Sequence, residues 1–162
     1  MIVEGHAWVF GDRIDTDLLA PGYAIKKSQE ELAKHCLEAV NPDFAPSVRP
    51  GDIVVGGANF GLGSSREQAA SSLATLGIGA VVAKSFARIF YRNAINIGLP
   101  AVTLDLTADI ETGDFLKLDL EKGTLVRDAD GYQRVVEPMA PHIIDILKAG
   151  GLMAQLQQRL NP

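Results

Sequence analysis

The sequence predicts an α/β fold in which a parallel section, built through crossover helices, precedes an antiparallel β section. Three observations predict it. Short, largely apolar runs at residues 53–55, 78–83 and 101–104 alternate with stretches of helical period, the order that builds a parallel sheet. Beyond residue 104 the texture changes to short β-rich runs separated by Lys122-Gly123 and Asp130-Gly131, which are hairpin signals. A chain of 162 residues that is 47% hydrophobic has the material for one proper core, so a single unit over residues 1–162 is expected.

Taken in order, residues 2–10 are rich in β-formers in partial alternation, and GDRIDTD at 11–17 closes them with turn-formers, giving a strand and then a polar loop. Residues 28–40 take helical period. Ser28 with Glu31 makes a capping box, and Leu32, Cys36, Leu37 and Val40 share one face, so Cys36 reads as a core residue rather than a reactive one. Pro50-Gly51-Asp52 turns the chain into the strand at 53–55. A helix is expected over about 65–76, ended by Gly77 and Gly79, followed by a strand covered on both faces at 78–83. A second helix over about 86–97 carries Phe86, Ile89, Phe90 and Ile97 inward and stops at Gly98 with Pro100 beyond. After the strand at 101–104, the antiparallel section takes 115–120, 124–127 and 132–136. From Pro141 a helix uses Ile143, Ile144, Ile146 and Leu147, breaks at Gly150-Gly151, and resumes through Leu152, Leu156 and Leu160.

Charge and composition exclude several functions. A formal charge of −5 without a basic cluster argues against nucleic acid or an anionic membrane as partner. Cys36 is the only cysteine, and His6, His35 and His142 are scattered, so the chain offers no ligand set for an iron–sulfur cluster. If the chemistry needs one, another chain must carry it. The opening MIVEGHAWVF lacks a basic n-region, and no apolar run approaches the roughly 20 residues that span a bilayer. A cytoplasmic location is expected.

Function concentrates in GGANFGLGSSREQAA, residues 56–70, between a buried strand and a helix. Gly57, Gly61 and Gly63 permit backbone conformations that a side chain forbids and leave main-chain N–H groups uncovered. Ser64 and Ser65 fall where the helix begins, among unpaired N–H groups at the positive end of its dipole. Arg66 adds a forked cation suited to a carboxylate. The same letters also read as structure alone, with Ser64 as N-cap, Glu67 completing a capping box, and glycines marking a tight turn. On composition and spacing the two readings stand level. No Gly-Lys-Ser/Thr follows and G-x-G-x-x-G is not met, so a nucleotide is not the natural ligand.

The stretch NFGLGSSREQAA resembles the NFGxGSSREH signature of the small subunits of 3-isopropylmalate dehydratase and homoaconitase, and of the matching swivelling domain of aconitase. DRIDTDLLAPGYA at 12–24, AKSFARIFYRNAINIGLPAV at 83–102 and GGLMAQLQQRL at 150–160 are similar to the same family. The resemblance implies a layered β/β/α swivelling domain. It also implies a hydro-lyase that moves a hydroxyl between neighbouring carbons of a malate-like acid by dehydration and rehydration. In the family the Lewis acid is an open-site iron of a 4Fe-4S cluster in the large subunit, so the expected partners are that subunit and a small branched hydroxy-dicarboxylate, with no metal held by this chain.

By position in the motif, the resemblance makes Ser64 the catalytic base, an alkoxide stabilised by the turn's N–H groups, the helix N-terminus and Arg66. Ser65 and Arg66 match residues that grip a substrate carboxylate, and Asp17 matches the Thr-Asp of the family's first loop, which orders the site. The loop after Pro21-Gly22 contacts the substrate's variable group in the family. Here it reads Tyr23-Ala24-Ile25-Lys26. Apolar surface from Ala24 and Ile25 would favour an isopropyl group by roughly 1–3 kcal/mol, so 2-isopropylmalate, an intermediate of leucine biosynthesis, is expected over homocitrate. Lys26 is the cation that would instead pair a third carboxylate. Gln68 stands where many members have His, Leu62 where the isopropylmalate enzymes often have Cys, and the second arginine of aconitase's first loop is not recognisable. The alternatives are a homoaconitase or dimethylmalate dehydratase small subunit, or a carboxylate-binding module without chemistry.

Overall fold

The first strand, β1 (Ile2–Val9), is the seam of the molecule, because it pairs in parallel on one side and antiparallel on the other. The computed structural model describes residues 1–162. After β1 come α1 (Thr16–Leu19), a 3-10 turn (Gly22–Ala24), α2 (Gln29–Ala33), α3 (Phe44–Ser47), β2 (Ile53–Gly56), α4 (Glu67–Thr75), β3 (Ala80–Ala83), α5 (Arg88–Asn96) and β4 (Ala101–Thr103). The antiparallel strands β5 (Phe115–Asp119), β6 (Thr124–Arg127) and β7 (Gln133–Val135) follow, then α6 (Pro141–Ala149) and α7 (Leu152–Leu160). The seven strands form one sheet in the order β4-β3-β2-β1-β5-β6-β7. Val9 pairs with Val55 in the parallel half, and Val3 with Leu118 in the antiparallel half.

Strands β2 and β3 are buried on both faces, which is why they read as unbroken apolar runs rather than as alternation. Their side chains still alternate. Val54, Val81 and Ala83 join Phe44, Phe60, Leu73 and Phe90 in one core, and Ile53, Val55, Ala80 and Val82 join Leu116, Leu118, Leu125 and Ile144 in the other. The second core also takes in Val102 of β4 and Val136 just beyond β7, so the sheet curls until its two ends pack against common neighbours. This is the mixed, layered architecture the sequence predicts. None of its helices is long and apolar enough to cross a membrane.

Two expectations need correction. The helix over 28–40 is α-helical only at Gln29–Ala33 and continues as turns. Leu37 sits at φ 59° and donates its N–H to the Leu18 carbonyl instead of to a helical partner. Leu32, Cys36 and Leu37 are nevertheless buried, while Val40 is 47% exposed, so the apolar face survives the lost helix but ends one residue group early. In α5, Phe90 turns inward but Ile89 faces solvent at 42% exposure. The last helix resumes after Gly150 and Gly151, both at positive φ, as the sequence predicts, and it buries none of its residues.

Where β1 meets the start of β2, the carboxylate of Asp52 is nearly enclosed and accepts three hydrogen bonds. They come from the N–H groups of His6 (3.0 Å) and Arg49 (2.9 Å) and from Trp8 Nε1 (3.0 Å). Each buried donor left without a partner costs about 1–3 kcal/mol, and the side chain holds β1 and the turn before β2 in a common register. Asp52→Ala is therefore expected to lower unfolding free energy by about 3 kcal/mol, read from the urea midpoint, while the circular dichroism of the remaining native state is unchanged.

Candidate active site

Because β1 and β2 are parallel and in register, the chain leaves both at the same end of the sheet, and the two exit segments stay paired. Gly57 N–H donates to Gly11 O at 3.0 Å, Arg13 N–H to Ala58 O at 2.8 Å, Gly61 N–H to Ile14 O at 2.7 Å and Thr16 N–H to Leu62 O at 2.8 Å. Asp12 adds a side-chain bond, accepting from Ala58 N at 2.7 Å. The polar loop and the glycine turn are thus one hydrogen-bonded ribbon extending beyond the sheet. On its far side the turn is tied to the start of α5, through Phe60 N–H to Ser85 O and Ala87 N–H to Phe60 O.

Two glycines make this course possible. Gly61 has φ 81° and packs against the Phe90 ring where a side chain would collide. Gly63 has φ 121°, and a Cβ there would lie 2.8 Å from Thr16 Oγ1. Both positions combine a left-handed backbone with no room, so only glycine fits.

The ribbon ends at Ser64. Its N–H donates to Thr16 Oγ1 at 3.2 Å, and its hydroxyl lies 3.2 Å from the same oxygen. Since Thr16 Oγ1 already accepts from the main chain, its own hydrogen is free to point at Ser64 Oγ. That spacing is long for O–H···O and has room to shorten if the serine oxygen becomes charged. Ser64 does not cap α4. The N-cap position is Arg66, without a side-chain cap, so the capping-box reading is not what the turn uses. The N–H groups of residues 65–68 donate to no other group of the chain, and they lie at the positive end of the α4 dipole.

Arg66 is held from below. Its Nη1 donates to Asp17 Oδ1 and to the Ala20 carbonyl, each at 3.0 Å, which leaves the Nε and Nη2 edge unengaged. Asp17 Oδ1 also accepts from Gly22 N at 3.0 Å. The Arg66 hydrogen bond, followed by that from Gly22, holds the Asp17 carboxyl below its ordinary range. Asp17 therefore orients the arginine and ties the Pro21-Gly22 turn to it. Ser65 is exposed beside this pair and makes no hydrogen bond.

The loop after Gly22 is placed differently from expectation. Ala24 is wholly buried against Ala20 and Leu32, because the 3-10 turn rotates it inward. It offers no surface to a ligand. Ile25 is half-buried on the same small cluster, Tyr23 stands 71% exposed with its ring edge-on to His35, and Lys26 is exposed without an ion pair.

On the other side of Ser64 opens a cleft of about 880 Å³, walled by Leu62 of the turn, by Phe86 just before α5, and by Arg88, Ile89, Tyr91 and Arg92 from the start of α5. Thr16, Arg88 and Arg92 were not among the residues singled out from sequence. Thr16 stands between two aspartates in IDTD, and Arg88 and Arg92 are four apart on a helix whose opposite face is apolar, so both signals were present. No three His, Cys, Asp or Glu side chains gather as a metal-ligand set. Cys36 is enclosed, and burial pushes its thiol far up. These donors do not fit an iron–sulfur cluster.

Comparison with known proteins identifies this fold, whose ribbon ends in a serine followed by free N–H groups and a braced arginine, as an aconitase-type domain. A sequence model of the aconitase C-terminal domain matches residues 14–107. The 3-isopropylmalate dehydratase small subunit 2 of Archaeoglobus fulgidus is 48% identical over 160 residues, spanning 98% of this chain and 96% of that one. The methanogen homoaconitase small subunit of Methanothermobacter thermautotrophicus is 46% identical over 153 residues, spanning 94% and 89%. A crystal structure of 3-isopropylmalate dehydratase from Methanocaldococcus jannaschii matches with TM-score 0.92 at 43% identity, over 99% of this chain and 96% of that one. The chain belongs to the aconitase C-terminal domain family, in the group of the 3-isopropylmalate dehydratase small subunits.

The ribbon is testable at Gly63. Gly63→Ala would strain the left-handed backbone and drive Thr16 Oγ1 from Ser64, at a cost of about 1–3 kcal/mol. The expected result is a lower thermal midpoint and, in a crystal structure of the variant, a broken Thr16–Ser64 contact.

Proposed function

We propose that this chain is the small subunit of a 3-isopropylmalate dehydratase, acting as one swivelling unit over residues 1–162 with a large subunit in the cytoplasm. Together they isomerise 2-isopropylmalate to 3-isopropylmalate in leucine biosynthesis. The observation that carries this reading is the placement of Ser64 Oγ, presented at the mouth of a cleft and backed by Thr16, Arg66 and the free N–H groups of α4.

In the reaction, Ser64 as an alkoxide takes the proton from the carbon beside a carboxylate. The C–H electron pair becomes the new carbon–carbon double bond, and hydroxide leaves the neighbouring carbon; rehydration reverses these steps with the hydroxyl on the other carbon. The hydroxide's departure calls for a Lewis acid, which a 4Fe-4S cluster on the large subunit supplies when bound. A serine hydroxyl in water is far too weak an acid for this role. Thr16 donates to the developing anion, and the positive end of α4 and Arg66 lower its energy further. Ser64 is exposed in the free chain, where water screens these terms. They reach full strength only once the large subunit closes over the site and excludes solvent. The unengaged edge of Arg66, with the Ser65 hydroxyl and N–H, grips a substrate carboxylate bidentately, and Asp17 keeps that edge turned outward.

For the variable group, Tyr23 and Ile25 now carry the apolar surface first ascribed to Ala24 and Ile25, and they favour a branched alkyl group. Lys26, exposed and unpaired, supports the second reading, a homoaconitase small subunit whose substrate bears a third carboxylate. One reconstitution decides both points. The isolated chain is expected to show no turnover. Combined with the large subunit it should turn over isopropylmalate with higher kcat/KM than homocitrate, and Ser64→Ala should lower kcat by about 10²–10⁴-fold while assembling normally in gel filtration. Near-normal turnover by that variant removes Ser64 as the base; a preference for homocitrate that disappears in Lys26→Ala moves the enzyme to the homoaconitase group.

A further inference from the structure

The unengaged edge of Arg66 has the Gly22 turn as its neighbour. Gly22 N–H is bonded to Asp17 Oδ1 at 3.0 Å, and a Cβ at Gly22 would lie 3.8 Å from Arg66 Nη2, the nitrogen that makes no bond within the chain. Tyr23 is the next residue, so its side chain starts from the rim of the place where a carboxylate would sit. It is the most exposed of the three tyrosines, at 71%, and an aromatic ring left that open on a loop ordinarily samples several rotamers. This one is met edge-on by the His35 imidazole, with ring centroids 5.6 Å apart and planes at 79°, a geometry in which aromatic pairs attract.

His35 is itself fixed from behind. Its Nδ1 donates to the Glu38 carboxylate, 3.0 Å from each oxygen. The backbone that carries it is rooted in the larger core, since Cys36 and Leu37 follow it wholly buried and Leu37 N–H donates to the Leu18 carbonyl. The Tyr23 loop, by contrast, rests on the small cluster of Ala20, Ala24 and Leu32. A line of contacts therefore runs from the core through Glu38 and His35 to an exposed ring beside Arg66.

We propose that His35 is a positioning residue for substrate choice: held by Glu38, it fixes the Tyr23 ring as an apolar wall for the substrate's variable group while Arg66 grips the neighbouring carboxylate. The proposal rests on the functional reading above and deepens it, carrying the determinants of specificity from the Pro21-Gly22 loop to the turns at 35–38. His35 does not touch the substrate. It keeps Tyr23 in one rotamer, so the cost of ordering the ring falls on folding and not on binding. A branched alkyl group gains most from a fixed wall, because it has the larger apolar area to cover, and a methyl group in its place gains little.

The test assays the assembled enzyme with 2-isopropylmalate and with 2-methylmalate, which keeps both carboxylates and shortens the variable group. The ratio of the two kcat/KM values reports the wall. His35→Ala is expected to lower that ratio roughly 2- to 10-fold, mainly through KM for isopropylmalate, and Tyr23→Ala to lower it by at least as much. The His35→Ala/Tyr23→Ala double variant should fall no further than Tyr23→Ala alone, because the two side chains act as one unit. His35→Phe should recover part of the ratio, since it restores the aromatic edge without the bond to Glu38, and the circular dichroism of every variant should match the parent. An unchanged ratio in His35→Ala overturns the proposal. So do losses that simply add in the double variant, or an equal loss on both substrates, which would make His35 structural only. Failure of the small-subunit reading looks different: the wild-type assembly then turns over neither malate, and this proposal falls with it.

Discussion

The structure depends on the parallel pairing of β1 and β2 continuing past the ends of both strands. Within the sheet this register is set by side chains that point to two different cores and by the buried Asp52 carboxylate at the strands' other end. Beyond the sheet, main-chain bonds, the Asp12 carboxylate accepting from Ala58 N, and the buried side chains of Ile14 and Phe60 carry the two segments side by side from Gly11 to Thr16 and from Gly57 to Leu62. Because the register is inherited, Thr16 arrives opposite Ser64 and Asp17 arrives under Arg66. The glycines serve this geometry. They let the second segment turn sharply enough to present Ser64 while passing within contact of the Phe90 ring and the Thr16 hydroxyl.

The site so formed is prepared but incomplete. Its positive features are fixed before any ligand arrives: the free N–H groups of α4 belong to a helix docked in the core, and Arg66 is pinned by Asp17 and the Ala20 carbonyl. Such preorganisation is the larger part of electrostatic catalysis, since no reorientation is left for the moment of reaction. The missing ingredient is the low dielectric in which these dipoles act strongly, because Ser64 and Ser65 lie open to water. In the two-part enzyme proposed above, assembly would exclude that water and strengthen the electrostatics around Ser64.

Much of the fold was legible because its signals are local. The two-sided burial of β2 and β3 appears directly as unbroken apolar runs, and Lys122-Gly123 marks its hairpin without reference to anything distant. The residues at 28–40 were misread for the opposite reason. Leu32, Cys36 and Leu37 have helical spacing, but the Leu37 N–H is taken by Leu18, a partner that only the folded chain brings near. Ala24 was hidden in the same way, since its neighbours Ala20 and Leu32 meet it through a turn whose direction the letters do not state. At the site, the motif made Ser64, Ser65 and Arg66 visible; composition and spacing left anion cradle and capping box level, the family resemblance favoured the cradle, and the structure places Arg66, not Ser64, at the N-cap. Thr16 and the Arg88 and Arg92 pair were written in the sequence, but their relevance comes from tertiary neighbours.

The central claim is that the β1–β2 ribbon delivers Ser64 Oγ to the carbon that loses its proton. A crystal structure of the assembled enzyme with substrate bound measures this directly. The account predicts Ser64 Oγ within about 3–3.5 Å of that carbon, still bonded to Thr16, with Arg66 forked onto the adjacent carboxylate and retaining Asp17. A substrate whose acidic carbon faces a different base, with Ser64 left as a bystander at the cleft edge, would contradict it.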